Sequence, residues 1–150
     1  MTRTLGDPRG FTLLETAVVM IILGVIVAFS FPAYVRFNRT MQLKGSAQNI
    51  AGQIQLARQK AIATGVNQVL HFQAGTFGWD YHTHTPGQPI VGWKLPRNVT
   101  YVWSTGTLSA QTVIMRADGR ADRSGTVIVR TTDGLSDTVN VQLSGLVLVE

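Results

Sequence analysis

Cysteine is missing from the 150 residues. That excludes disulfides, thiol catalysis and zinc sites built on thiolates, and leaves the redox compartment open. Histidine is scarce: three in all, at 71, 82 and 84. No Ser-His-Asp order stands out as a local motif, no glycine-rich phosphate loop follows a strand, and no EF-hand spacing occurs. Neither an enzymatic activity nor a cofactor is expected. Internal repeats and long low-complexity tracts are also lacking. Eight acidic residues face thirteen basic ones, for a net charge of +5. That surplus is too modest to choose between nucleic acid, anionic lipid and an acidic partner. Charge is rarest between Phe11 and Phe31, where Glu15 stands alone in 21 residues.

At the helical rise per residue, that stretch spans about 31 Å, close to the hydrocarbon thickness of a bilayer. A lone carboxylate in such a span is expensive and is retained mainly for function. The ten residues before it carry Arg3 and Arg9 and end in Gly10. A secretory signal has its small residue after the apolar core; here the small residue comes first. Cutting after Gly10 would remove the basic leader and keep the apolar helix as the new N-terminus.

Gly10, Phe11, the run Thr12-Leu13-Leu14-Glu15 and the apolar stretch up to Pro32 together resemble the prepilin leader of type IV pilins and type II secretion pseudopilins. The resemblance implies that a prepilin peptidase cleaves between Gly10 and Phe11 and methylates the Phe11 amine. It also implies that Glu15 pairs with the amine of a neighbouring subunit in a filament. A buried carboxylate needs a counter-charge, and an adjacent N-terminus supplies one. Lys/Arg counting does not orient the span, because Arg3 and Arg9 precede it and Arg36, Arg39 and Lys44 follow. The leader resemblance places the N-terminus in the cytoplasm and the C-terminal domain in the periplasm.

Beyond Pro32, which is expected to bend or loosen the helix, Leu43, Ala47, Ile50, Ile54, Ala57 and Ala61 recur in steps of four and three. That spacing marks one helical face. The organisation expected is a leader over 1–10, a transmembrane or filament-core helix over 11–35, an amphipathic continuation over 36–64 and a β domain over 65–150. Gly65 is the expected stop. From Val66 the period becomes two, and strands are expected near 66–73, 76–83, 99–104, 111–117, 125–131, 137–143 and 145–149. Gly75, Pro86-Gly87, Pro96, Gly106, Asp118-Gly119, Asp133-Gly134 and Gly145 punctuate them. The fold class is α+β, a long N-terminal helix packed on an antiparallel β-sheet domain.

Leu56-Ala57-Arg58-Gln59-Lys60-Ala61, the strand Val69-Leu70-His71-Phe72, Leu95-Pro96 and the hairpin Val113 to Ala121 narrow the resemblance to the GspH/FimT family of minor pseudopilins and pilins. Members often end in a Gly-Arg-x-Arg-like tail that contributes to DNA contact in DNA-binding representatives. Here that place reads Gly145-Leu146-Val147-Leu148, without arginine. The partners implied are other pilin or pseudopilin subunits, the prepilin peptidase, an inner-membrane assembly platform and membrane lipid.

Three further constellations carry chemistry. Asp80, His82 and His84 alternate and would share a strand face, which suits a metal, although no fourth ligand is evident. His71 falls opposite Leu70 and Phe72, as a solvated strand position. Asp118, Asp122, Asp133 and Asp137 supply oxygens near turns, where turn formation already explains most of them. Arg116, Arg120, Arg123 and Arg130 gather around one hairpin. With Trp79, Tyr81, Trp93, Tyr101 and Trp103 they would suit nucleic acid, as in a minor pilin of a DNA-uptake pilus. Asp118 and Asp122 halve the local positive charge, so a solvated hairpin with Arg–Asp pairs is the favoured arrangement.

Overall fold

The computed structural model describes residues 11–76, 78–85, 87–102 and 112–150. The leader with Gly10, as well as Pro86, Trp103 and Gly106, therefore lies outside the described residues. The chain divides into two compact units, Met1–Asn38 and Arg39–Glu150.

In the first unit the helix α1 (Leu13–Thr64) begins, and it remains helical through Pro32. Thr12 caps it: the Glu15 N–H donates to Thr12 Oγ1 at 3.2 Å. Thr12 and Glu15 thus stand at the first and fourth positions of a capping box, with Glu15 at the positive end of the helix dipole. Every side chain from Phe11 to Tyr34 is exposed, so the apolar run finds no cover within its own unit.

In the second unit, Leu43, Ala47, Ile50, Ile54, Ala57 and Ala61 are buried, joined by Ser46 and Ala51. The expected stripe is the one that packs. Four of these eight residues are alanine, which keeps the buried face of the helix low. Gly65, at φ 66°, ends the helix as expected.

Eight strands follow: β1 (Gln68–Thr76), β2 (Trp79–Thr83), β3 (Val91–Trp93), β4 (Val99–Val102), β5 (Thr112–Met115), β6 (Gly125–Thr131), β7 (Ser136–Val141) and β8 (Val147–Val149). They form two antiparallel sheets, ordered β3-β2-β1-β5 and β4-β6-β7-β8. Leu70, Phe72, Tyr81, Val113 and Met115 of the first sheet and Val127, Val129, Val139, Val141 and Val147 of the second share one core with the α1 stripe. Tyr101 of β4 meets Phe72 of β1 edge-on, with ring centroids 6.1 Å apart, which joins the two sheets.

Several expectations are corrected. β1 runs past Gly75, and the turn after it uses Gly78 at φ 76°. β3 was not expected, because Gly87, Pro89 and Gly92 mark its surroundings as loop. Gly92 is required where it stands: a Cβ there would meet Trp79 Cγ at 2.2 Å, so the indole of Trp79 lies on the bare backbone. The hairpin Val113 to Ala121 closes through a single bridge, Met115 to Ala121, and β6 then joins the other sheet.

Arg58 ties two turns to the helix. Its Nε–H donates to the Gly119 carbonyl at 2.8 Å. Gly145, in the turn between β7 and β8, has φ 78°, and a Cβ on it would lie 2.2 Å from the Gly119 oxygen and 2.9 Å from Arg58 Nε. Gly134 has a similar φ of 88° but open space around it. Gly134→Ala carries only the left-handed backbone cost, about 1–2 kcal/mol. Gly145→Ala adds a backbone clash and the loss of the Arg58 contact, and should cost about 3 kcal/mol. Urea midpoints of the two variants, read by tryptophan fluorescence, will test this difference; equal midpoints would remove the turn–helix tie from the account.

Candidate functional site

Four groups of residues were singled out by sequence, and the structure treats them differently. At the helix start, Phe11 and Glu15 are exposed. Glu15 has a local backbone role in capping that its placement in an apolar run conceals, although Thr-x-x-Glu ahead of such a run is itself a readable capping signal.

The arginines are partly neutralised. Asp122 accepts from Arg116 Nη2 at 2.6 Å and from Arg123 Nη2 at 3.3 Å. The hydrogen bonds to Arg116 and Arg123 hold the Asp122 carboxyl below its ordinary range, and the bond to Asp122 raises Arg116. Asp118 serves the backbone instead, accepting from the Arg120 N–H at 2.9 Å. Arg130 lies on β6, exposed and opposite Ser136 of β7. The pairing expected of Asp122 is present, and Asp118 is a turn former.

The four aspartates considered for calcium have separate partners. Beyond Asp118 and Asp122, Asp133 pairs with Arg39, and Asp137 Oδ1 accepts from the Thr138 N–H at 3.0 Å.

The aromatic residues named with the arginines are not placed alike. Tyr81 is buried and stacks on Trp93 at 5.2 Å and on Phe72 at 6.0 Å. Tyr101 packs against the same core. These rings stabilise the interior, whereas Trp79 is exposed and lies on the bare backbone of Gly92. The Leu146 to Val149 segment turns into β8, and Gly145 packs against Arg58.

Asp80, His82 and His84 do not converge. The Asp80 carboxylate accepts from the Leu95 N–H at 2.7 Å. His82 is buried and lies in β2, opposite His71 of β1, with rings 5.1 Å apart and stacked at 25°. Stacked rings direct their nitrogens in parallel rather than at one ion. Among the described residues no group of three His, Asp or Glu is arranged to hold a metal. His71, expected in solvent, is half-buried, and Thr112 Oγ1 lies 3.1 Å from its Nδ1.

A cleft of about 450 Å³ lies beside α1 and is lined by Gln42, Gly45, Asn49, Tyr81, Lys94 and Leu95 among others. Its polar side chains are the amides of Gln42 and Asn49, the hydroxyls of Ser46 and Tyr81 and the Lys94 ammonium, and no carboxylate or imidazole is among the lining residues.

Burial pushes the Tyr81 hydroxyl up to about 12, with Asp80 adding to the effect, and burial raises Tyr101 further. An unfolded tyrosine ionises near 10. Above that pH the unfolded chain loses protons that the folded one keeps, so stability falls as pH rises. Thermal melts in detergent should show a steep loss above about pH 10, and Tyr81→Phe should flatten it. An unchanged alkaline slope in the variant would mean that Tyr81 is not the group that titrates.

Comparison with known proteins bears on the chain in two parts. Residues 7–31 match the prokaryotic N-terminal methylation motif. Residues 46–146 match the family described as type II transport protein GspH. No curated protein sequence matches the chain. Among solved structures, the minor pseudopilin EpsH from the type 2 secretion system of Vibrio cholerae is similar at 15% identity and a TM-score of 0.54, covering 73% of this chain and 96% of that one. The type IV minor pilin FimU of Pseudomonas aeruginosa is similar at 14% identity and a TM-score of 0.57, covering 76% and 92%. At such identity these two speak for the fold. The family match spans about two thirds of the chain, and on it the chain belongs to the GspH family of type II transport proteins.

Proposed function

We propose that this chain is a minor pilin or pseudopilin subunit whose work is assembly into a type IV pilus or a type II secretion pseudopilus. One observation carries the reading. A methylation motif over 7–31 stands ahead of a GspH domain, and the helix they share is long and apolar enough to cross a membrane while burying nothing over its apolar window. A helix apolar on every face needs lipid or other helices around it. On this reading it has both in turn: lipid before assembly, the helices of other subunits afterwards. Leaving lipid for a helix bundle exchanges one apolar surrounding for another, so packing and polar pairing decide which subunits join.

The prepilin peptidase cleaves between Gly10 and Phe11 and methylates the new amine. The N-terminus faces the cytoplasm and the β domain the periplasm, as a single-pass protein of the bacterial inner membrane that an assembly platform draws into the filament. Glu15 serves twice. In the waiting subunit its place in the first helical turn suits the helix dipole. In the filament its carboxylate pairs with the amine of a neighbouring Phe11.

Intact mass of the membrane-extracted protein is the first test. A chain beginning at N-methyl-Phe11 is expected, and Gly10→Val should leave uncut precursor. Recovery of the full Met1 chain beside an active prepilin peptidase would end the processing reading. Glu15→Ala should still insert and be cleaved, yet be lost or strongly depleted from sheared filaments. Incorporation at the level of the unaltered protein would refute the pairing role.

A further inference from the structure

The guanidinium of Arg58 is fixed at one end and open at the other. Its Nε–H donates to the Gly119 carbonyl at 2.8 Å. Gly145 closes on it from the β7–β8 turn, where a Cβ would lie 2.9 Å from Nε and 3.3 Å from Cδ. The Arg58 stem is thus held between two turns, and its direction is set before anything binds. A guanidinium also carries donors on its Nη groups, in a planar fork that suits a carboxylate. Among the described residues, Gly119 is the only hydrogen-bond partner of Arg58, and no carboxylate lies within ion-pair reach of it. Asp118, next to Gly119 in sequence, accepts from the Arg120 N–H instead.

Arg58 lines a half-open pocket of about 220 Å³, together with Gln55 and Gln59 of the helix and with Ile62, Leu146 and Val147. Ile62 and Leu146 are 54% and 46% exposed. Ile62 also covers the first turn, since a Cβ on Gly119 would lie 2.8 Å from its Cδ1. One cation and no anion line the pocket. A preset arginine flanked by exposed aliphatic side chains has the composition of an interface anchor.

We infer that this pocket receives an aspartate or glutamate side chain, carried beside an aliphatic residue on another protein chain. The charge match selects the carboxylate, whose oxygens accept from the Nη donors in parallel. Ile62 and Leu146 take the apolar part of the incoming segment out of water. A phosphate would meet the same donors but leave those two side chains uncovered. The inference does not depend on the assembly reading, because the pocket lies wholly within the second unit.

The test is a titration of the full chain in neutral detergent, followed by NMR of the Arg58 Nε–H and of the Gly145 and Leu146 amides. The probe is isovalerate, a carboxylate on a branched apolar stem, with isovaleramide and inorganic phosphate as controls. Saturable shifts centred on those signals are expected at millimolar concentration, with isovalerate about tenfold tighter than either control. Arg58 also ties the two turns, so replacing it would not separate binding from folding. Gln55→Glu is the deciding variant: it places a carboxylate three residues before Arg58 on the same helix face, where it occupies the fork from within. It should weaken isovalerate by about tenfold and leave the thermal midpoint unchanged. Equal binding of isovaleramide would reduce the site to an apolar hole, and equal binding of phosphate to a plain cation. Either result would overturn the inference, as would undiminished binding to Gln55→Glu or no shift at all. Micromolar binding of isovalerate would mark a site for a free small carboxylate and overturn the docking of a protein side chain.

Discussion

The second unit depends on the burial of one stripe of α1. Two four-stranded sheets close over Leu43, Ala47, Ile50, Ile54, Ala57 and Ala61. Neither sheet alone offers enough apolar area to be a domain, and a helix with that stripe cannot remain uncovered in water. Alanine does much of this work by being small. Ala47, Ala57 and Ala61 share one buried cluster with Leu70, Phe72, Met115 and the valines of β6 and β7. Losing a strand residue of this set removes both its own burial and the cover of the helix, which is why the core is one cluster rather than two.

On that base, a few polar contacts fix how the strands return to the helix. Arg58 is the clearest. Its guanidinium reaches the Gly119 carbonyl, its stem lies against Gly145, and the Cβ-free glycines let two separate turns approach the same side chain. One turn follows β5 of the first sheet and the other joins β7 to β8 of the second. A lysine could hold the charge but not the directed Nε–H bond, and any other residue at 145 would need to displace the Gly119 backbone. Arg39 and Asp133 make a comparable link to the β6–β7 turn, but in the open, where an ion pair contributes little.

The helix was legible because its signals are periodic and long. The stripe, the Gly65 stop and the tight turns at Gly119 and Gly134 follow from spacing and from positive φ, and β6 begins and ends where alternation places it. The partition into two sheets was not legible, since alternation says which side of a strand is buried but not which strand lies next to it. β3 escaped because three residues centred on a glycine carry no periodic signal. The histidines were misread for a related reason. Alternation puts His71 on the face away from Leu70 and Phe72, which reads as solvated, whereas His71 is half-buried and its register partner His82 is buried. An interior strand has a neighbour on each edge whose side chains shield its outer face, and only the strand order, β3-β2-β1-β5, shows that β1 and β2 are interior.

Glu15 joins the sequence argument to the structural one. A carboxylate in an apolar run suggests a missing partner, yet the same residue stands where a helix can use it, fourth from the Thr12 cap at the positive end of the dipole. The two accounts concern different states and do not compete. The helix dipole accounts for a single subunit tolerating the carboxylate at the edge of its apolar segment, since that effect fades beyond the first turn. It does not account for why the other residues up to Phe31 carry no charge at all. A helix selected only to start well would accept acids throughout its first turn and polar residues beyond it. Apolar side chains on every face from Leu13 to Phe31, with one carboxylate held at the rim, fit a helix whose surroundings are apolar before and after assembly, which is the setting that the proposed pairing of Glu15 requires.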